Sequence, residues 1–325
     1  MDELPTGRPV ERVTPAESDA RIDTVARQAG GEREGIFGPW SACWKVNREA
    51  AVFLGAGRAA LLQLAHPWVA TALEQHSAVM ERPIARFHNT FRIVYTMIFG
   101  SLAQATGVAR RLYQLHARIQ GELTESAGGW PRGARYSANE IAALRWVFAT
   151  LVESAELAYA CALGPLPIDA RERYYAESRT LAGLFGLPEA ALPENWAAFA
   201  AYNRAMHSSG ELGVTDAARK MAHGLLAGAG TWLRIPRWYR AMTIEWLPER
   251  LRAEFALAEP DRRTADVARR RIPGVYRRLP AAVRFVGPWH EAQARLAGRR
   301  PGLAALIGNR FWIGQMRMPF AGAAE

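Results

Sequence analysis

From Gly38 onward, apolar residues recur at three- and four-residue intervals along most of the chain, while the Val, Ile and Thr runs that build strands are scarce. A chain with that period buries its apolar surface only by packing helix against helix, so the spacing predicts an all-α protein. Half of the 325 residues are hydrophobic, enough for one large core or two modest domains. No internal repeat and no long linker interrupts the pattern, and a single multi-helix domain is the simplest architecture.

Residues 1–34 mix Pro, Gly and charge with little period and read as a poorly ordered N-terminal arm; residues 35–300 read as the helical domain and 301–325 as a C-terminal tail. Helices are expected over 45–65, 67–80, 83–100, 101–123, 137–162, 168–184, 194–208, 214–228 and 235–257, with shorter pieces at 262–271 and 280–297. Pro67, Pro83 and Pro236 stand where a first helical turn accepts proline, and Ser137 with Glu140 has the spacing of a capping box. Gly55-Ala-Gly57-Arg58 lacks the third glycine and the Lys-Ser/Thr of a nucleotide loop and reads as close helix packing.

Several function classes drop out on composition. Cys43 and Cys161 are the only cysteines, which excludes a disulfide framework, a Cys-x-x-Cys zinc site and a Cys-x-x-Cys-His haem attachment. The acidic start Met-Asp-Glu-Leu has no apolar core of a secretory signal, so a cytoplasmic protein is expected. The apolar stretches at 50–65 and 141–163 are interrupted by Arg58, Gln63, Arg145, Glu153 and Glu156, and neither reads as a clean membrane span. The net charge of +10 resides in residues 231–310, which hold seventeen Arg against seven Asp and Glu. That basic portion, with Trp232, Trp238, Tyr239, Trp246 and Trp289, suits peripheral contact with an anionic membrane surface or a plain solvated surface. No helix-turn-helix or other reader motif accompanies the charge, which argues against nucleic acid.

Two helices carry polar groups in apolar stripes. Positions 86, 90, 93, 94 and 97 share one helix face and hold Arg86, Thr90, Ile93, Val94 and Met97; on the next helix Val108, Leu112, Leu115, His116 and Ile119 share another. A buried guanidinium needs an anion, Glu74 or Glu153 being candidates, and a buried imidazole needs a hydrogen-bond partner or a metal. His66, His76 and Glu74 form a second, weaker metal set, but the chain contains no Glu-x-x-His pair of the di-iron type. Ser208-Ser209 beside His207 lacks the acidic third member and the elbow of a hydrolase.

The segments Arg48–Pro67, His76-Ser77, Pro83-Ile-Ala-Arg86 with Thr90, Phe99-Gly100, His116-Ala-Arg-Ile-Gln-Gly121, Tyr136-Ser-Ala138, Trp146-Val-Phe-Ala-Thr-Leu151, Tyr202 and Leu279-Pro-Ala-Ala-Val-Arg284 together resemble the MpaB-type and latex-clearing rubber oxygenases, formerly a domain of unknown function. The resemblance runs from about residue 38 to 300. It implies a globin-like all-α domain, non-covalent haem b, dioxygen as co-substrate and oxidation or cleavage of an unsaturated lipophilic substrate such as an isoprenoid or lipid chain. By position, His116 looks like the axial iron ligand and Arg86 and Thr90 like polar residues of the haem pocket. Glu74 is a candidate base, as a carboxylate beside an apolar pocket. Phe148 stands where many relatives have a histidine, which brings His66, His76 and His88 into consideration as substitutes. The rival expectation is a non-catalytic helical carrier of haem or lipid, or a basic membrane-surface adaptor built on residues 231–310.

Overall fold

The computed structural model describes residues 10–77, 83–229 and 234–319. The end of the helix expected over 67–80, and Trp232, lie outside the described residues. The helices are α1 (Pro15–Gln28), α2 (Ala42–Asn47), α3 (Ala56–Leu64), α4 (Pro67–His76), α5 (Pro83–Phe99), α6 (Leu102–Ala117), α7 (Ile141–Leu163), α8 (Ile168–Leu184), α9 (Trp196–Ser208), α10 (Asp216–Ala227), α11 (Arg237–Glu245), α12 (Glu249–Glu254), α13 (Arg262–Tyr276), α14 (Ala281–Arg284), α15 (Gly287–Leu296) and α16 (Leu303–Ile313). The fold is all-α and multi-helical. A small antiparallel hairpin, β1 (Gln120–Glu122) with β2 (Arg135–Ser137), pairs Gly121 with Tyr136.

The longest helix, α7, is the axis of the molecule. It is apolar on nearly every side because helices surround it: Trp146, Phe148, Val152 and Ala162 are all buried. It packs on the 3-10 segment Ala50–Gly55, on α3 and on α13. By length and composition α7 is one helix that can cross a membrane, yet here it is the centre of the core. At its start the Glu140 carboxylate accepts from the amides of Ala142 and Ala143 at 3.0 and 2.7 Å, and at its end Gly164 turns the chain with φ of 96°.

Gly55 and Gly57 do serve close packing. A Cβ on Gly55 would lie 2.2 Å from the Ser154 carbonyl oxygen, and one on Gly57 would lie 2.8 Å from the Thr243 hydroxyl. Beside them the buried Arg58 donates to Glu153 at 2.6 Å, to Ser154 Oγ at 2.9 Å and to the Trp246 carbonyl at 3.0 Å. This ion pair ties α3 to α7 and satisfies the guanidinium.

The structure corrects several expected boundaries. The arm over 1–34 is not structureless: Thr14 and Glu17 form a capping box that opens α1, and Ser18, Ile22 and Val25 pack one turn after another against α6 and α8. Likewise the 301–325 tail contains α16, whose Trp312 and Ile313 are buried and which crosses α15 where Gly287 meets Gly308. The helix expected over 101–123 ends at Ala117, because the following residues enter the hairpin. Ser137 belongs to β2, and Glu140 is the cap of α7. The 45–65 span divides into α2, a 3-10 segment and α3; the 235–257 span divides at Pro248, and the 280–297 span at Phe285-Val286.

Helix α5 also departs from its expected single face. Phe87, Phe91 and Tyr95, spaced four apart, form the packed stripe and meet Phe53 and Trp312 at centroid distances of 5.3–6.5 Å. Arg86 therefore lies off the core stripe, on a different side of the helix.

Candidate functional site

That other side of α5 closes a cavity of about 480 Å³, within the range of small-molecule and cofactor pockets. Ala85, Arg86 and Asn89 come from α5; Leu115, His116 and Ile119 from the end of α6; Trp68, Val69, Ala72, Leu73, His76 and Ser77 from α4 and its end; Tyr136, Ser137 and Ala138 from the hairpin; Ala143, Leu144 and Val147 from α7; and Gln63 from α3. Most of this wall is apolar. The polar groups are few and come from different elements.

His116 occupies the last turn of α6, where the chain leaves the helix for the hairpin. Burial pushes its pKa down to about 4, and the positive charge of Arg86 adds to the effect. The ring is thus neutral at physiological pH, the state in which an imidazole ligates a metal. Arg86 keeps accessible surface because it faces the cavity, yet surrounding protein desolvates it and lowers its pKa. Among the described residues no carboxylate pairs with its guanidinium: Glu153 is taken by Arg58, and Glu74 is exposed. Its guanidinium is therefore open to an anion that a ligand supplies.

Thr90 does not line the cavity. Its hydroxyl donates to the Arg86 carbonyl at 3.0 Å, so it acts on the backbone that carries Arg86. Glu74 also lies off the lining, on the exposed side of α4, and reaches the cavity only through its charge on the Tyr136 phenol. His66 caps α4 and is buried between Trp68 and Trp130, and burial pushes its pKa down to about 3. His88 faces the other way and bonds the Phe311 carbonyl at 3.0 Å. Phe148 lies in the core beside cavity-lining Val147, so position 148 itself does not open on the cavity. Among the described residues no group of three or more His, Cys, Asp or Glu side chains is placed to hold a metal ion, which removes the His66–His76–Glu74 set.

Spacing alone missed the hairpin wall. The Tyr136 hydroxyl donates to Gln75 Oε1 at 2.6 Å, and His76 Nε2 lies 3.1 Å from the same hydroxyl oxygen and 3.3 Å from the Gln120 carbonyl. Both of those oxygens accept, which places a proton on His76 Nε2. Gly121 makes room for this arrangement, since a Cβ there would fall 2.7 Å from Gln75 Oε1 and 2.8 Å from the Tyr136 hydroxyl. The signal was the pair Gly121 and Tyr136, visible in sequence but meaningful only once the strands are paired.

These groups fit a haem: a neutral imidazole to hold iron, an unpaired guanidinium for the anionic edge and an apolar wall for the macrocycle. No curated protein and no solved structure matches the chain. One protein family does match, described as "ER-bound oxygenase mpaB/B'/Rubber oxygenase, catalytic domain", over residues 44–285, a span that contains every residue lining the cavity. The chain therefore belongs to the MpaB and rubber oxygenase catalytic-domain family, and is an oxidoreductase that uses non-covalent haem b to oxygenate a lipophilic substrate.

Proposed function

We propose that the cavity between α4, α5, α6, α7 and the hairpin is the haem-b pocket, in which His116 would hold the iron and Arg86 would meet the cofactor's carboxylates. The observation that carries this reading is the placement of a neutral His116 and an unpaired Arg86 on one largely apolar cavity. Haem b held there supplies the iron chemistry that activates dioxygen for oxidation or cleavage of an unsaturated lipophilic chain, an isoprenoid or lipid chain being the class that the wall suits.

The chain's own residues supply binding and orientation. The lone pair of His116 is available because burial and Arg86 disfavour its protonation. Val69, Ala72, Leu73, Leu115, Ile119 and Val147 exclude water and present only apolar surface to a substrate chain. Thr90 steadies the turn that carries Arg86. The Tyr136 hydroxyl, between Gln75 and His76, is a proton-bearing group on the wall, and Glu74, exposed and off the lining, reaches it only as a charge, which weakens Glu74 as the candidate base.

The protein is further read as cytoplasmic and peripheral to the membrane, its contact made through residues 231–310. The excess of arginine in that portion supports the reading, as do two free cysteines.

Replacing His116 with Ala should abolish retention of haem through gel filtration, whereas His76→Ala should retain it. Full haem loading of His116→Ala would sink the assignment, and loss in His76→Ala alone would move the ligand to the hairpin wall.

A further inference from the structure

A second cavity of about 710 Å³, sharing no lining residue with the first, lies between the 3-10 segment Ala50–Gly55 and α13. Its α13 wall follows from helical spacing. Arg263, Val267, Arg271 and Val275 stand four residues apart along the outer edge, while Thr264, Ala268 and Ile272 form the inner row against Phe53 and Leu54. Val267 and Val275 are 42 % and 61 % exposed, and Trp238 at the rim is 38 % exposed. The helix thus shows solvent a ladder of alternating cation and branched hydrocarbon beside an apolar trough.

The arginines of α13 divide by side. Arg269 is neutralised by Glu245 at 2.8 Å and by Asp266, its neighbour one turn back. Arg263 and Arg271, both exposed at the trough, have no ion pair or hydrogen bond within the described residues. The two hydroxyls on the wall are already engaged, Thr264 with Asp261 at 2.8 Å and Tyr276 with Glu49 at 3.0 Å. A peptide laid in this trough would leave its backbone amides and carbonyls without partners, a cost that an acyl chain does not incur. A second copy of the chain would bring the same cationic ladder against itself.

We propose that this trough binds an anionic membrane lipid, with one acyl chain between Phe53, Leu54, Ala268 and Ile272 and the headgroup on Arg263 and Arg271. The proposal rests on the membrane-peripheral reading above and is independent of the haem pocket. It assigns the basic C-terminal portion a defined lipid site in place of diffuse attraction.

The test is co-sedimentation of the full chain with phosphatidylcholine vesicles, with and without phosphatidylglycerol, together with fluorescence quenching by lipids brominated on the acyl chain. Binding should require phosphatidylglycerol, and R263Q/R271Q should weaken it about tenfold or more. The charge-preserving V267Q/V275Q should also weaken it about tenfold, since it removes only apolar contact at exposed positions. Bromolipid quenching should shrink in Trp238→Phe, a readout on a chain with all its arginines in place. If V267Q/V275Q binds as wild type and Trp238→Phe leaves the quenching unchanged, the trough is not entered and the lipid site falls while surface attraction stands. If the wild type ignores phosphatidylglycerol, both fall.

Discussion

At the residue scale the central fact is the protonation of His116. Its folded pKa of about 4 lies below the ordinary 6.5, so the unfolded chain takes up this proton first as pH falls. The stability that neutral His116 contributes is complete above about pH 6.5 and is lost progressively toward pH 4. Haem retention should follow the same course, flat from pH 8 to about 6 and falling steeply near 4, which a pH series of Soret absorbance measures. Glu140 has the opposite sign. Burial first, and the nearby Glu211, push its pKa up from 4.5 to about 7 against the pull of the Ala142 and Ala143 amides. The folded state therefore holds the extra proton between those values, and stability declines as pH rises through that window. Glu140→Gln, which removes the titrating charge and keeps one of the two acceptor oxygens at the helix start, should flatten the pH dependence of urea midpoints. An unchanged slope between pH 5 and 8 would show that another group titrates there.

At the element scale, packing decides which helices the sequence discloses. The 3.6-residue period marks α5, α6 and α9 because each sets an apolar face against the core, whereas α7, apolar on nearly every side, is disclosed by the length of its apolar run. Helix α1 escaped notice because its buried stripe is only Ser18, Ile22 and Val25, although Thr14 and Glu17 stand in plain capping-box spacing. The hairpin was illegible for another reason. Strands of three residues are shorter than any alternation that could announce them, and their pairing depends on contacts with α4. For the site, His116 and Arg86 are legible as polar breaks in apolar stripes, but the spacing groups Arg86 with Thr90, Ile93, Val94 and Met97 as the core face, whereas the packed stripe is Phe87, Phe91 and Tyr95. Nothing local signalled the wall of His76, Gln75 and Tyr136, which exists only after β1 and β2 align. Two substitutions test these elements. Thr14→Ala should cost about 1 kcal/mol through loss of the α1 cap. Gly55→Ala should cost about 2–3 kcal/mol or more, because its Cβ would meet the Ser154 carbonyl at 2.2 Å. Both are read from thermal or urea unfolding, and a Gly55→Ala protein as stable as wild type would contradict the close crossing of the 3-10 segment on α7.

For the whole molecule, two apolar hollows of different character share no lining residue. One holds the neutral imidazole of His116 and the guanidinium of Arg86; the other is the trough edged by Arg263 and Arg271. The family match covers the first completely and the α13 wall of the second as well. An enzyme that oxygenates a lipophilic substrate must obtain it from a phase where it dissolves, and the proposed lipid site on the same domain would meet that need. The net charge of +10 resides in residues 231–310, the portion that includes α13. The central claim is that this domain holds haem b through His116. The measurement that tests it most directly is a pyridine haemochrome assay on wild type and His116→Ala purified side by side from cells supplied with iron and a haem precursor. Wild type should hold about one haem b per chain and the His116→Ala variant almost none. A wild-type protein that is colourless and rejects added haem, or a variant loaded as fully as wild type, would contradict it.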